Sequence, residues 1–355
     1  MDCTDARPPA GTPVWAGLAV VFGLALLAWL IVMVLARLPL TAGLPLSMMM
    51  VALVLGLGFA PLAARRSSWI PGLELARGTI LKLAVVLIGL RLSLMEVGQL
   101  GQMALPLVLL AILVGLGVSL LLARLFGVER RLATLLAVGT AICGASAIAA
   151  TAPGLKARRE EICYAVACVA LVGLIATLVY PALLQQLLAD PLVVGLVLGA
   201  SIHDTAQVTA AATLHEQAWA VDGTLAAATV TKLLRNSAML LVIPALLWWS
   251  LRGQASTPGK VPVPLFILGF LGLSVLRSVG DAGWGAEQPL WQWLISAAAG
   301  LSTFGFAAAL AAMALSIRFA DLKRLGWRPA IVAVMAALAV LLAALACTQL
   351  LARVY

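Results

Sequence analysis

Residues Pro191 to Thr213 read PLVVGLVLGASIHDTAQVTAAAT, and how they are read decides the fold. The run begins as apolar as any membrane helix, then places His203, Asp204 and Gln207 in its middle. Were the apolar part to end before Ser201, only the ten residues from Pro191 to Ala200 would remain, and a crossing helix needs about 20. A solvated loop is the competing reading, and that length argues against it. The polar trio is therefore expected at membrane depth, where an ionisable group costs about 3 kcal/mol or more unless it meets a cavity or a partner. His203 and Gln207 are four apart and Asp204 and Gln207 three apart, so all three share one face of a helix.

The surrounding chain fits a membrane and little else. Its 355 residues are 63% hydrophobic and 10% charged, with mean hydropathy +1.11, whereas soluble domains are roughly 25% charged. Soluble-enzyme and disordered readings are excluded. The net charge of +9 does not point to nucleic acid, because the basic residues stand singly or in twos and threes between apolar runs, which is the pattern of membrane topology. Cys143, Cys163, Cys168 and Cys347 fall in apolar segments and Cys3 in a polar tail, so no disulfide framework or CxxC site is implied. The first apolar run lacks a small-residue cleavage site and reads as a retained helix.

Long apolar runs predict eleven spans, roughly 14–36, 44–63, 73–95, 104–125, 132–152, 161–187, 191–214, 223–250, 262–280, 290–317 and 329–352, in one all-α polytopic domain covering 1–355. Counted on alternate sides, Lys and Arg number 13 on the amino-terminal side against seven on the other, which puts the amino terminus in the cytoplasm. The loop carrying Lys156, Arg158 and Arg159 disagrees with that count. VALVLG at 51–56 matches VGLVLG at 194–199, and Gly139-x4-Gly144 echoes Gly300-x4-Gly305. Both pair a span with its fifth successor, as an extra helix at 14–36 followed by inverted repeats at 44–187 and 191–352 would require.

Three constellations could carry chemistry. GTAICGASAIAA at 139–150 brings Cys143, Gly144 and Ser146 into a small-residue stretch, and GLSTFGFA at 300–307 does the same for Ser302 and Thr303. Each reads either as a broken helix whose free amide groups meet a substrate or as tight helix packing. The polar trio is the second constellation. The third is cationic: Lys232 and Arg235 lie near the middle of their span, and at least one of Lys82 and Arg91 must be immersed. Snorkelling is the alternative for that second pair. Up to four immersed cations against Asp204 imply an anionic substrate, an oxyanion above all.

At AICGASAI (141–148), GASIHDTAQV (199–208) and LIGLRLSL (87–94) the chain resembles the YeiH-like family of bacterial membrane proteins, which carries a sulfate-exporter name. The ICG motif falls on Ile142, Cys143 and Gly144, and the polar motif on His203, Asp204, Ala206, Gln207 and Val208. The resemblance implies an inner-membrane protein related to cation/proton antiporters and bile-acid-type symporters. It implies inverted five-helix repeats, two crossing discontinuous helices, and a panel domain suited to a homodimer.

The resulting expectation is a secondary transporter of a small anion, such as sulfate or an organosulfonate, coupled to a proton or ion gradient. Candidate substrate-binding residues are Arg91, Cys143, Gly144, Ser146, His203, Asp204, Gln207, Lys232, Arg235, Ser302 and Thr303. A cation/proton exchanger using Asp204 and His203 is the alternative. No Walker, HExxH or GxSxG motif occurs and only two histidines exist, so neither an enzyme, a cofactor nor a metal is expected.

Overall fold

The computed structural model describes residues 13–35, 48–250, 265–285, 287–316 and 326–354. Among them the regular structure is helical. The elements are α1 (Trp15–Leu35), α2 (Met48–Ala63), α3 (Ile70–Leu75), α4 (Leu81–Ile88), α5 (Leu94–Leu125), α6 (Arg130–Ala141), α7 (Ala145–Thr151) and α8 (Arg159–Leu187). There follow α9 (Pro191–Ser201), α10 (Thr205–Trp219), α11 (Thr224–Ser237), α12 (Met239–Ser250), α13 (Leu265–Gly280), α14 (Pro289–Leu315) and α15 (Arg328–Val354). A π-helical turn, Ala76–Ile80, joins α3 to α4. Seven helical stretches are long and apolar enough to cross a bilayer, so the chain is an all-α polytopic membrane protein.

Local sequence sets the helix starts. Ser93 and Glu96 form a reciprocal cap on α5, in which Ser93 N donates to Glu96 Oε2 at 2.7 Å and Glu96 N to Ser93 Oγ at 3.3 Å. Asp190 caps α9 through Leu192 N at 2.9 Å, with Pro191 in the first turn where its missing N–H costs nothing.

The expected spans at 132–152 and 191–214 do not cross as broken helices. Each is a helical hairpin. A straight helix over 130–151 would hold its ends about 33 Å apart, yet Arg158 Nη2 lies 2.5 Å from Glu129 Oε2. The 152–158 connection is too compact to make up that distance, being turned by Lys156 N to Pro153 O and Ala157 N to Ala152 O, both at 3.1 Å. Ile148 of α7 packs directly against Gly139 of α6.

The second hairpin closes in the same way. Thr224 Oγ1 donates to Pro191 O at 3.1 Å, and His215 Nδ1 lies 2.9 Å from Thr224 Oγ1, so the start of α9 meets the end of α10. The two hairpins enter from opposite ends of the bundle. At one end Arg158 meets Glu129, and Tyr164 OH donates to Gly326 O. At the other, His215 Nε2 contacts Gln185 Oε1 at 2.8 Å and Leu94 N donates to Ser278 Oγ at 2.8 Å. Lys156, Arg158 and Arg159 thereby join Arg130 and Arg131 at one end, and the loop that opposed the charge count no longer does.

Packing divides the helices into two groups. α1, α2, α3, α4, α13 and α14 pack on one another, while α5 through α12 and α15 form the second group around the hairpins. The matched VALVLG and VGLVLG motifs serve close approach in each group. A Cβ on Gly56 would meet Ala311 O of α14 at 2.8 Å, and one on Gly199 would meet Ala228 O of α11 at 2.5 Å. Both distances are shorter than real contacts allow.

Candidate functional site

The hairpin tips meet in the interior. Tip one is Ile142, Cys143 and Gly144, and tip two is Ile202, His203 and Asp204. At each tip an incoming helix ends, leaving carbonyls without the N–H partners that a further turn would supply. In a water-free interior such groups must be satisfied by protein. Helix α11 supplies the donors from Lys232 and Arg235, three residues apart on one face.

Lys232 Nζ donates to Ile142 O at 3.1 Å, to Ile202 O at 2.9 Å and to His203 O. Arg235 Nε donates to Ala141 O at 2.8 Å, Nη1 to Ala200 O at 2.7 Å and Ile202 O at 3.2 Å, and Nη2 to Thr140 O. Both side chains are 0% exposed. Each therefore ties tip one to tip two, and both positive charges sit where the dipoles of α6 and α9 end negative.

This corrects the sequence argument about Lys232 and Arg235. Their N–H donors are taken up by carbonyl oxygens, so neither needs an anion as its hydrogen-bond partner, and neither lines the cavity that reaches the tips. Arg91 is corrected too. It is exposed next to Leu90, whose carbonyl bonds Arg277 at the last turn of α13, and so lies at the end of the bundle away from tip one's base. The expected break at Ser302 and Thr303 is absent: α14 is one helix from Pro289 to Leu315. Ser302 Oγ donates to Ala84 O at 2.7 Å and Thr303 Oγ1 to Ala299 O of its own helix at 3.0 Å. The part of α14 that reaches that cavity is its last turn, at Met313 and Leu315, with Ser316 just beyond its end.

A cavity of about 550 Å³ does reach the tips. Gly144, Ser146 and Asp204 line it from one side, and Glu74, Arg77 and Ser316 from the other. Asp204 Oδ1 accepts from Ala206 N at 2.8 Å and so caps α10, which means the amide end of α10 is already occupied by the protein's own carboxylate. Gly144 turns tip one at φ +65°, ψ −126°, a region open in practice to glycine. Cys143 and His203 are the buried middle residues of the tips, and His203 Nδ1 has no hydrogen-bond partner among the described residues. Gln207 faces α8 instead of the cavity, with Nε2 donating to Ala170 O at 2.9 Å.

The site thus gathers Cys143, Gly144, Ser146, His203 and Asp204, with Gln207 one turn behind, and excludes Arg91, Ser302 and Thr303. It adds Glu74 and Arg77, of which the sequence reading had used only Arg77, as one of the 13 basic residues on the amino-terminal side. Their signal was present as a helical stripe. Ile70, Leu73, Glu74, Arg77, Gly78 and Leu81 recur at steps of three, one, three, one and three residues, and all six face the cavity.

A family model described as "Conserved hypothetical protein 698" matches residues 16–333, which include both hairpins, both clamping cations and the cavity walls. The chain belongs to the UPF0324 membrane protein family. A UPF0324 membrane protein of Listeria monocytogenes serotype 4b is 30% identical over 271 residues, covering 75% of this chain and 77% of that one. One from Streptococcus agalactiae serotype V is 32% identical over 272 residues, covering 74% and 77%. One from Bacillus cereus is 30% identical over 282 residues, covering 78% and 76%. The YeiH-like resemblance fits this family. The relatives' names place them in membranes and state no substrate.

Proposed function

We propose that this UPF0324 chain is a secondary transporter of a small anion, an oxyanion such as sulfate or an organosulfonate, across the bacterial inner membrane. The observation that supports the reading most is the 550 Å³ cavity that enters from one end of the bundle and stops at the paired hairpin tips. Its size lies in the usual range for small-molecule sites, roughly 300–1,000 Å³. Lys232 and Arg235 stand directly behind its floor, and in a low-dielectric interior their charges extend beyond the carbonyls they bond. The end at which it opens carries Arg65, Arg66, Arg130, Arg131, Lys156 and Arg158, which the positive-inside rule assigns to the cytoplasm. The cavity is then the inward-open half of an alternating-access cycle driven by a proton or ion gradient.

A cation/proton exchanger is the second reading, and the presence of two carboxylates, Asp204 and Glu74, on the cavity walls favours it. The protein needs neither catalytic chemistry, a cofactor nor a nucleic-acid partner for either task, and it works in the bilayer as a monomer or a pair of copies.

Thermal melting of the purified protein against sulfate, methanesulfonate, chloride and sodium separates the two, because a ligand that binds the folded form raises its stability. Stabilisation by sulfate or methanesulfonate above matched chloride supports the anion reading. Stabilisation by sodium alone, growing as pH rises, replaces it with cation exchange.

A further inference from the structure

Arg77 stands out among the buried and half-buried cations of the described residues because it is unspent. Lys232 and Arg235 are consumed by carbonyls, and Arg277 binds Asp281 at 2.7 Å. Arg77 is half-buried, lines the cavity, and forms no hydrogen bond or ion pair among the described residues. Burying part of a guanidinium without partners is costly, and its five N–H donors call for acceptors.

The backbone beneath it is equally unusual. Arg77 lies on the π-helical turn Ala76–Ile80, where Leu81 N reaches back to Ala76 O. Single π-turns inside helices concentrate at functional sites because the extra residue re-aims the side chains that follow. Here the turn stands in the wall facing Ser146 on α7 and Asp204 at tip two. Arg77 is close enough for its charge to act on the Asp204 carboxylate. The charged side chains that line the cavity are Glu74, Asp204 and Arg77, so against two carboxylates the guanidinium is the group there that can attract an anion.

We propose that Arg77 is the substrate-contacting residue of this cavity, its guanidinium fork gripping two oxygens of a sulfate or sulfonate group while Ser146 Oγ, on the facing wall, donates to a third. The inference rests on the anion-transport reading and names the residue through which it works. A planar fork matches two oxygens of a tetrahedral oxyanion, a geometry that an ammonium or a spherical ion cannot reproduce. The ligand would bridge the helix group that holds Arg77 and the one that holds Ser146.

The test is thermal melting of the full-length protein in detergent, titrated with sodium sulfate, sodium methanesulfonate and sodium chloride at matched ionic strength, for wild type, Arg77→Gln, Arg77→Lys and Ser146→Ala. The expected result is sulfate binding weakened by at least about tenfold in Arg77→Gln, a smaller weakening in Arg77→Lys with loss of preference over chloride, and a modest one in Ser146→Ala. Should Arg77→Gln not fold, Arg77→Lys carries the test alone. Wild-type sulfate affinity in whichever of the two folds overturns the role of Arg77 and leaves anion transport standing. Wild-type protein that responds to neither sulfate nor methanesulfonate above chloride overturns the transport reading first, and this inference with it.

Discussion

The two hairpins make the same reversal by different chemistry. In register, AICGASAI at 141–148 lies over SIHDTAQV at 201–208, so that Ile142 matches Ile202, Cys143 matches His203 and Gly144 matches Asp204. Tip one turns on a glycine at φ +65° and restarts its helix without a side-chain cap. Tip two turns in extended backbone, with Asp204 at φ −101°, ψ 148°, and uses the aspartate as the cap of α10. One position is thus a bare backbone in the cavity wall, and its counterpart is a carboxylate in the same wall. The stabilisation is one-sided as well. Both clamping cations come from α11, the helix after hairpin two, while the corresponding α8 contributes no buried cation among the described residues. The reversal is shared between the two hairpins, and the turn geometry and the charge are not.

The largest break in that comparison should come from α11. Lys232→Met would strand the carbonyls of Ile142 and His203 and Arg235→Met those of Thr140, Ala141 and Ala200, with Ile202 O losing one of its two donors in either case. At about 1–3 kcal/mol for each buried polar group left unpaired, neither variant should yield folded protein in a thermal melt. A transition temperature near wild type for either would show that the tips hold together without the clamp.

Gly144→Ala comes next. An added Cβ would meet Val169 Cγ1 at 3.4 Å and His203 O at 3.6 Å, so there is room for it, and the cost is the backbone angle, about 1–3 kcal/mol. The variant should fold with a lowered melting temperature. An unchanged one would mean that tip one relaxes to ordinary dihedrals.

Asp204→Asn is the mirror experiment and the gentler one for stability. Asn caps a helix about as well as Asp, so melting should shift by no more than about 0.5 kcal/mol. Binding should respond more. In wild type, protonating Asp204 removes a negative charge from the cavity wall, so sulfate affinity should rise as pH falls. Asp204→Asn should bind tightly with little pH dependence. Retention of the wild-type pH profile in the variant would remove Asp204 from the coupling. Smallest of all is Arg158→Ala: its pair with Glu129 is exposed on both sides and adds little, and the buried Glu161, which loses a contact at 3.3 Å, keeps the backbone N–H of residue 158 at 2.6 Å. Its melting temperature should fall only slightly, by less than that of any other variant here.

The membrane class and the helical content were legible, because composition and apolar run length carry them directly. The hairpins were not. A 12-residue α6 followed by a seven-residue α7 has the summed length and hydropathy of one crossing helix, and only the contact between Glu129 and Arg158 shows the reversal. Lys232 and Arg235 were correctly read as deep, but their partners are main-chain oxygens, which every residue possesses and no side-chain pattern reveals. Ser302 and Thr303 misled because small residues at helical spacing also describe packing, here of α14 on α4. Arg77 was passed over because a charge near the start of a span reads as a loop-side charge, although the stripe it shares with Leu73 and Leu81 was there to be read.

The opposed hairpins are tested most directly by side-specific labelling with a membrane-impermeant maleimide, in a background with the five native cysteines replaced. Arg130→Cys and Lys156→Cys flank hairpin one, and Asp190→Cys and Asp222→Cys flank hairpin two. The hairpin arrangement requires positions 130 and 156 to label from one side of the membrane, and 190 and 222 both from the other. Labelling of 130 and 156 from opposite sides would make the segment a crossing helix after all, and would undo the meeting of the tips, the clamp and the cavity together.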